Sequence, residues 1–144
     1  MSEVASLDEF RSDVRAWLSE SFPTTLAYNG QRAVMDNDPE LAADLDVWRG
    51  RLAERGYGAP TWPREYGGAG LSGAHAAALA EELAAVGAFN PIPTLAGMGV
   101  TMVGPTVLEY GTDDQKARHL PGMGAGRLIF TGVTSPKRLT SVTR

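Results

Sequence analysis

Gly56-Tyr57-Gly58-Ala59-Pro60-Thr61-Trp62-Pro63-Arg64-Glu65-Tyr66-Gly67-Gly68-Ala69-Gly70-Leu71-Ser72 separates two segments of helical periodicity, and its reading decides the fold. Pro60 and Pro63 fix their own φ and push Ala59 and Trp62 toward extended backbone, while the glycines permit tight turns. Trp62 and Tyr66 bring rings that need burial. A connection with its own apolar anchors is an ordered loop; on loop behaviour alone, a functional loop and a well-packed structural corner stand level.

Outward from this loop the periodicity is helical. On its N-terminal side, Ser6 with Glu9 forms a capping box, and Leu7, Phe10, Val14, Trp17 and Leu18 recur at helical spacing until Pro23. After a polar stretch from Thr24 to Asn37, Asp38-Pro39 offers an N-cap and a first-turn proline. Leu41, Leu45, Trp48 and Leu52 then mark one face of a second helix ending at Gly56. On the other side, Ser72 caps an alanine-rich third helix whose Leu79, Leu83 and Val86 share a face up to Gly87. The segment Thr94 to Tyr110 carries no charge before Glu109 and holds Gly97, Gly99 and Gly104, which predicts a helix buried on most sides. Gly111 ends it, and Thr112 with Gln115 caps a short helix predicted to stop before Pro121. The glycine-rich turn Gly122 to Gly126 then leads into Arg127 to Thr134, the first stretch with strand character. The fold class expected is all-α, a bundle of about five helices with a short β segment near the C-terminus.

Composition narrows the function. With 144 residues and 43% hydrophobic content the chain suffices for one core. A net charge of -4 without a basic block argues against sequence-independent nucleic-acid binding. The absence of cysteine excludes disulfides, thiolate chemistry and zinc-thiolate sites, so redox chemistry requires a borrowed cofactor. Neither a signal-peptide pattern at Met1 to Asp8 nor a run near the ~18 apolar residues of a membrane span occurs, and a cytoplasmic location is expected.

Few residues carry chemistry by themselves. His75 and His119 lie on different helices without a partner pattern, so packing or surface roles are expected and no metal site is assigned. Glu81 and Glu82 are adjacent on a helix and point about 100° apart, which suits one solvated carboxylate and one partner for an arginine. The glycine runs lack the sequence of a phosphate loop or a dinucleotide fingerprint, and no nucleophile elbow occurs. Leu95, Met98, Gly99 and Met102 fall at i, i+3, i+4 and i+7 and could form a flexible apolar wall for an alkyl chain, although core packing is the commoner use of such a stripe.

The loop also resembles one in the N-terminal helical domain of the acyl-CoA dehydrogenase family: glycine, aromatic, Ala-Pro, then Trp-Pro-x-Glu-Tyr-Gly-Gly-x-Gly-Leu-Ser. The resemblance continues through Ala80-Glu81-Glu82-Leu83-Ala84, Gly104-Pro105 and Tyr110-Gly111-Thr112-Asp113-Asp114-Gln115-Lys116, and covers Phe10 to Pro136. It implies residues 1–126 as that domain and 127–144 as the start of the middle β-domain. It also implies FAD-dependent α,β-desaturation of an acyl-CoA thioester, with Leu95, Met98, Gly99 and Met102 as substrate contacts, since the corresponding helix lines the family's acyl cavity. Thr131, Val133 and Thr134 match flavin-contact positions.

Beyond them the likeness weakens: Ser135, Arg138-Leu139 and Ser141 stand where the family motif has an acidic residue, Ala-Gly and an aspartate. The tail therefore reads as truncated or frame-shifted. The family's C-terminal bundle carries its catalytic glutamate and most FAD contacts, and no residue here is assigned as that base. The resemblance thus implies an N-terminal fragment, or a subunit dependent on dehydrogenase partners in a homo- or hetero-oligomer, inactive alone. A noncatalytic docking module and a decayed product stand as alternatives.

Overall fold

The computed structural model describes residues 6–95 and 98–127. Among these, six α-helices succeed one another without a strand: α1 (Leu7–Ser21), α2 (Ala42–Glu54), α3 (Gly73–Ala85), α4 (Ile92–Leu95), α5 (Gly104–Tyr110) and α6 (Asp113–Gly124). The all-α expectation holds; residues 128–144, and with them nearly all of the expected strand, lie outside the described residues. The chain divides into two compact units, one comprising residues up to Trp48 with Leu71–Phe89, the other Arg49–Gly70 with the chain from Asn90 onward.

In the first unit, α1 packs on α3. The Ser6 hydroxyl accepts the Glu9 N–H, and the Glu9 carboxylate accepts the Ser6 N–H, so the expected capping box opens α1. Phe10, Val14, Trp17 and Leu18 are buried, whereas Leu7 in the first turn is exposed. Trp17 stacks on Trp48 at 5.3 Å between ring centroids, and Phe22 meets Trp48 edge-on at 4.9 Å. The Trp48 indole N–H reaches the Phe89 carbonyl at 2.8 Å, which satisfies the polar tip of a fully buried ring.

The polar stretch Thr24 to Asn37 holds a 3-10 turn at Thr24–Leu26 and a wide π-type turn at Gln31–Met35, and the helix after it starts later than predicted. Helix α2 begins at Ala42, because Asp38 caps a separate turn in which its carboxylate accepts the Glu40 N–H at 2.9 Å and its carbonyl accepts the Leu41 N–H. The Glu40 N–H first, and then Arg32, hold the Asp38 carboxyl below the usual range. The start of α3 conforms to expectation, with Ser72 accepting the His75 N–H, and Gly87 (φ 71°) ends the segment; Val86 at its C-cap is exposed.

Charge ties α1 to α3. Glu82, 6% exposed, receives Arg15 Nε at 2.8 Å and Nη2 at 2.9 Å and Arg11 Nη1 at 3.0 Å, while Arg11 also pairs with exposed Glu81. The predicted division holds for exposure, Glu82 being buried and Glu81 exposed, but not for pairing, since Arg11 reaches both carboxylates. Hydrogen bonds from Arg15 first, then Arg11, hold the Glu82 carboxyl below its ordinary value, against the opposing effect of burial. A depressed carboxyl stabilises the fold above the unfolded-state value and loses that contribution as pH falls through the folded-state value. Glu82→Gln should therefore lower the urea midpoint at pH 7. Its difference from wild type should close as the pH drops below the ordinary glutamate range near ~4.3, and a pH-independent difference would refute an ionic origin.

Candidate functional site

The second unit is organised around the loop. Trp62, 5% exposed, forms a core cluster with Ala59, Leu120 and Met123, against which Tyr66, Val100, Val103, Val107 and Leu108 pack. The Trp62 carbonyl accepts the Gly70 N–H at 2.8 Å and its own N–H donates to Ala59 at 3.1 Å, so the loop folds back around the ring. Glycine is required where that packing is closest. A β-carbon on Gly68 would lie 2.2 Å from the Trp62 carbonyl oxygen, and one on Gly104 would lie 2.3 Å from Cζ2 of the indole. Asn90, which the sequence reading missed, fastens the loop from its other end: its side-chain N–H group donates to the carbonyls of Tyr57 and Gly58, both at 3.1 Å, and its oxygen accepts the Ile92 N–H.

The predicted single helix over Thr94 to Tyr110 is interrupted. The four-residue α4 ends at Leu95, and a π-type turn at Gly99–Val103 runs directly into α5. Pro105 supplies the reason for the wide turn. It has no N–H to give the carbonyl four residues back, and its ring crowds that carbonyl. The backbone before it opens by one residue per turn: the Met98 carbonyl accepts from both Met102 and Val103 at 3.0 Å, and the Gly104 N–H reaches back to Gly99. The Thr106 hydroxyl donates to the Met102 carbonyl at 2.9 Å.

This segment has two unlike sides. Val100, Val103, Val107 and Leu108 face the Trp62 cluster, whereas Met98 (38% exposed), Met102 (56%) and Tyr110 (78%) are turned to solvent. The expectation of burial on most sides is therefore corrected: among the described residues only the inner side is covered. Of the predicted wall, Met98 and Met102 are both exposed, Leu95 is half-buried at the end of α4, and Gly99 is buried. The proposed flavin contacts Thr131, Val133 and Thr134 lie outside the described residues.

Helix α6 opens with the expected Thr112–Gln115 capping box but continues through Pro121 to Gly124. Burial of Leu120 and Met123, both fully enclosed, offsets the bond lost at the proline. His75 takes a hydrogen bond with the Ser72 hydroxyl at 2.7 Å and lies edge-on to Phe10; His119 borders a shallow groove of about 230 Å3 with Tyr110 and Gln115. No group of His, Asp and Glu suited to a metal occurs among the described residues, nor any helix long and apolar enough to cross a membrane.

Comparison with known proteins places this architecture. The family model for the acyl-CoA dehydrogenase N-terminal domain matches residues 5–127, and the chain belongs to that family. It is 35% identical over 115 residues to acyl-CoA dehydrogenase IpdE1 of Mycolicibacterium smegmatis, covering 80% of this chain and 29% of that protein. It is 33% identical to acyl-CoA dehydrogenase FadE26 of Mycobacterium tuberculosis, over 90% of this chain and 31% of that one. Among solved structures, the steroid ACAD Tcur3481-Tcur3483 matches with a TM-score of 0.62 and 31% identity over 90% of this chain and 31% of that one. The ChsE4-ChsE5 complex from Mycobacterium tuberculosis matches with a TM-score of 0.61 and 27% identity over 96% of this chain and 32% of that one. The chain thus spans about a third of the length of these relatives.

The covered and the exposed side of the Met98-to-Tyr110 segment predict unequal responses to truncation, the first read at the Trp62 ring that covers it. Trp62→Ala should lower unfolding free energy by about 3–5 kcal/mol, whereas Met102→Ala should stay within about 0.5 kcal/mol of wild type, both read from urea denaturation.

Proposed function

We propose that this chain is the N-terminal helical part of a flavin-dependent dehydrogenase that desaturates an acyl-CoA thioester between Cα and Cβ, and that it works with complementary dehydrogenase subunits. The observation that carries the reading is family membership over residues 5–127 together with an apolar outer side, at Met98 and Met102, on the segment that the Trp62 loop holds. In such a reaction the substrate loses a proton from Cα and a hydride from Cβ; a bound flavin supplies the hydride acceptor. The part given to this chain is to hold the alkyl portion and keep water from it, through side chains that are flexible and polarizable. Glu81 and Glu82 are engaged by Arg11 and Arg15 and are unsuited to removing the α-proton. Two-component relatives, one of them a steroid ACAD, support a partner-dependent enzyme for a bulky, ring-bearing acyl group.

The test is a flavin absorbance spectrum of the purified chain, alone and coexpressed with dehydrogenases encoded beside it. Flavin and acyl-CoA desaturation are expected only with a partner. Flavin bound by the chain alone would refute partner dependence, and none under either condition would refute the dehydrogenase reading. In the active assembly, Met102→Trp should shift preference toward smaller acyl groups, and an unchanged preference would remove Met102 from the acyl wall.

A further inference from the structure

Gly104 sits where the outer apolar side and the buried cluster are separated by a single layer of backbone. Any side chain there would meet the benzo edge of Trp62, with a β-carbon 2.3 Å from Cζ2 and 2.4 Å from Cη2, and the Gly99 carbonyl oxygen at 2.7 Å. Such separations are far inside van der Waals contact, so either the ring or the backbone must yield.

The ring is held chiefly through its own main chain. Its opposite edge, Cε3 and Cζ3, faces Gly124 of α6, where a β-carbon would sit at an ordinary van der Waals separation of 3.7 Å. Its backbone is bonded on both sides, to Ala59 and Gly70, and is crowded by Gly68. The segment bearing Gly104 is the freer partner, because its other side is exposed at Met98, Met102 and Tyr110. Movement at Gly104 is passed directly to the two methionines. The Gly104 N–H is bonded to Gly99, the Met98 carbonyl is bonded to both Met102 and Val103, and the Met102 carbonyl is bonded to the Thr106 hydroxyl. The wide turn therefore moves as a piece.

We infer that Trp62 and Gly104 form a positioning pair: the flat contact between indole and glycine sets how far the Met98–Met102 turn stands out, and thereby the size of acyl group admitted. The pair touches no substrate itself, and its effect on selection rests on the acyl-binding reading given above. The buried ring, rather than the exposed methionines alone, is then a determinant of specificity.

The experiment compares wild type, Gly104→Ala, Trp62→Phe and the double variant, each in the complete assembly with its partner. Methyl-13C methionine NMR reports the position of the turn independently of activity. The Met98 and Met102 methyl signals should move in Gly104→Ala and return toward wild type in the double variant, where the smaller ring leaves space for the new methyl group. Signals that stay in place in a folded Gly104→Ala protein, or that fail to return, would overturn the positioning pair. If Gly104→Ala does not fold, Trp62→Phe decides alone, since loss of the benzo edge should let the turn settle inward and move the same two signals; unmoved signals overturn it.

For selection, Gly104→Ala should raise KM for a sterol-derived acyl-CoA about tenfold while changing kcat and KM for butyryl-CoA less than about twofold, with recovery in the double variant. Equal changes for both thioesters would overturn the role in specificity. Absence of any turnover in wild type would instead refute the functional reading, leaving the methyl signals to decide the positioning pair.

Discussion

A buried indole needs apolar cover over its ring carbons, and Trp62 obtains it from backbone as much as from side chains. Gly68, Gly104 and Gly124 each bring main chain against some part of Trp62, while Ala59, Leu120 and Met123 complete its enclosure. The second unit depends on this seating. The loop must reverse within a few residues to return the Gly70 N–H to the Trp62 carbonyl, α6 must run past its proline to deliver Met123, and α5 must begin with a glycine. Pro105 then opens the preceding turn, so that one short segment presents valines and Leu108 inward and methionines outward.

The first unit is held differently. Its aromatic stack of Trp17, Trp48 and Phe22 supplies area, but the pairing of α1 with α3 is also directional, through a nearly buried carboxylate gripped by two guanidinium groups. Burying Glu82 alone would be strongly unfavourable; hydrogen bonds from both arginines to its oxygens satisfy the charge where α1 meets α3.

What was legible in the sequence was local. Capping boxes at Ser6 and Thr112 need only residues three apart, and the unequal exposure of Glu81 and Glu82 follows from the helical angle, whereas the reach of Arg11 to both does not. The loop at Trp62 could be seen to need burial, and its motif carried the family. The features that escaped depend on distant neighbours or on competition between bonds. Asp38 spends its capping capacity on a preliminary turn, so α2 begins later than Pro39 suggested. Pro121 looked like a stop because periodicity cannot weigh a lost hydrogen bond against the enclosure of Leu120 and Met123. The i, i+3, i+4, i+7 pattern grouped Gly99 with Met98 and Met102, yet Gly99 is buried while both methionines are exposed. An uninterrupted apolar stretch does not reveal which side its own chain covers.

Each unit is assembled from two stretches of chain separated by part of the other. This interleaving sets an order of events during synthesis. Trp17 and Trp48 emerge from the ribosome well before α3 and Phe89, which complete their surroundings, and at ordinary elongation rates that interval is roughly 2–8 s. Trp62 waits in turn for Leu120 and Met123. Two hydrophobic clusters are thus unfinished at the same time in the nascent chain, and neither can close by local contacts alone.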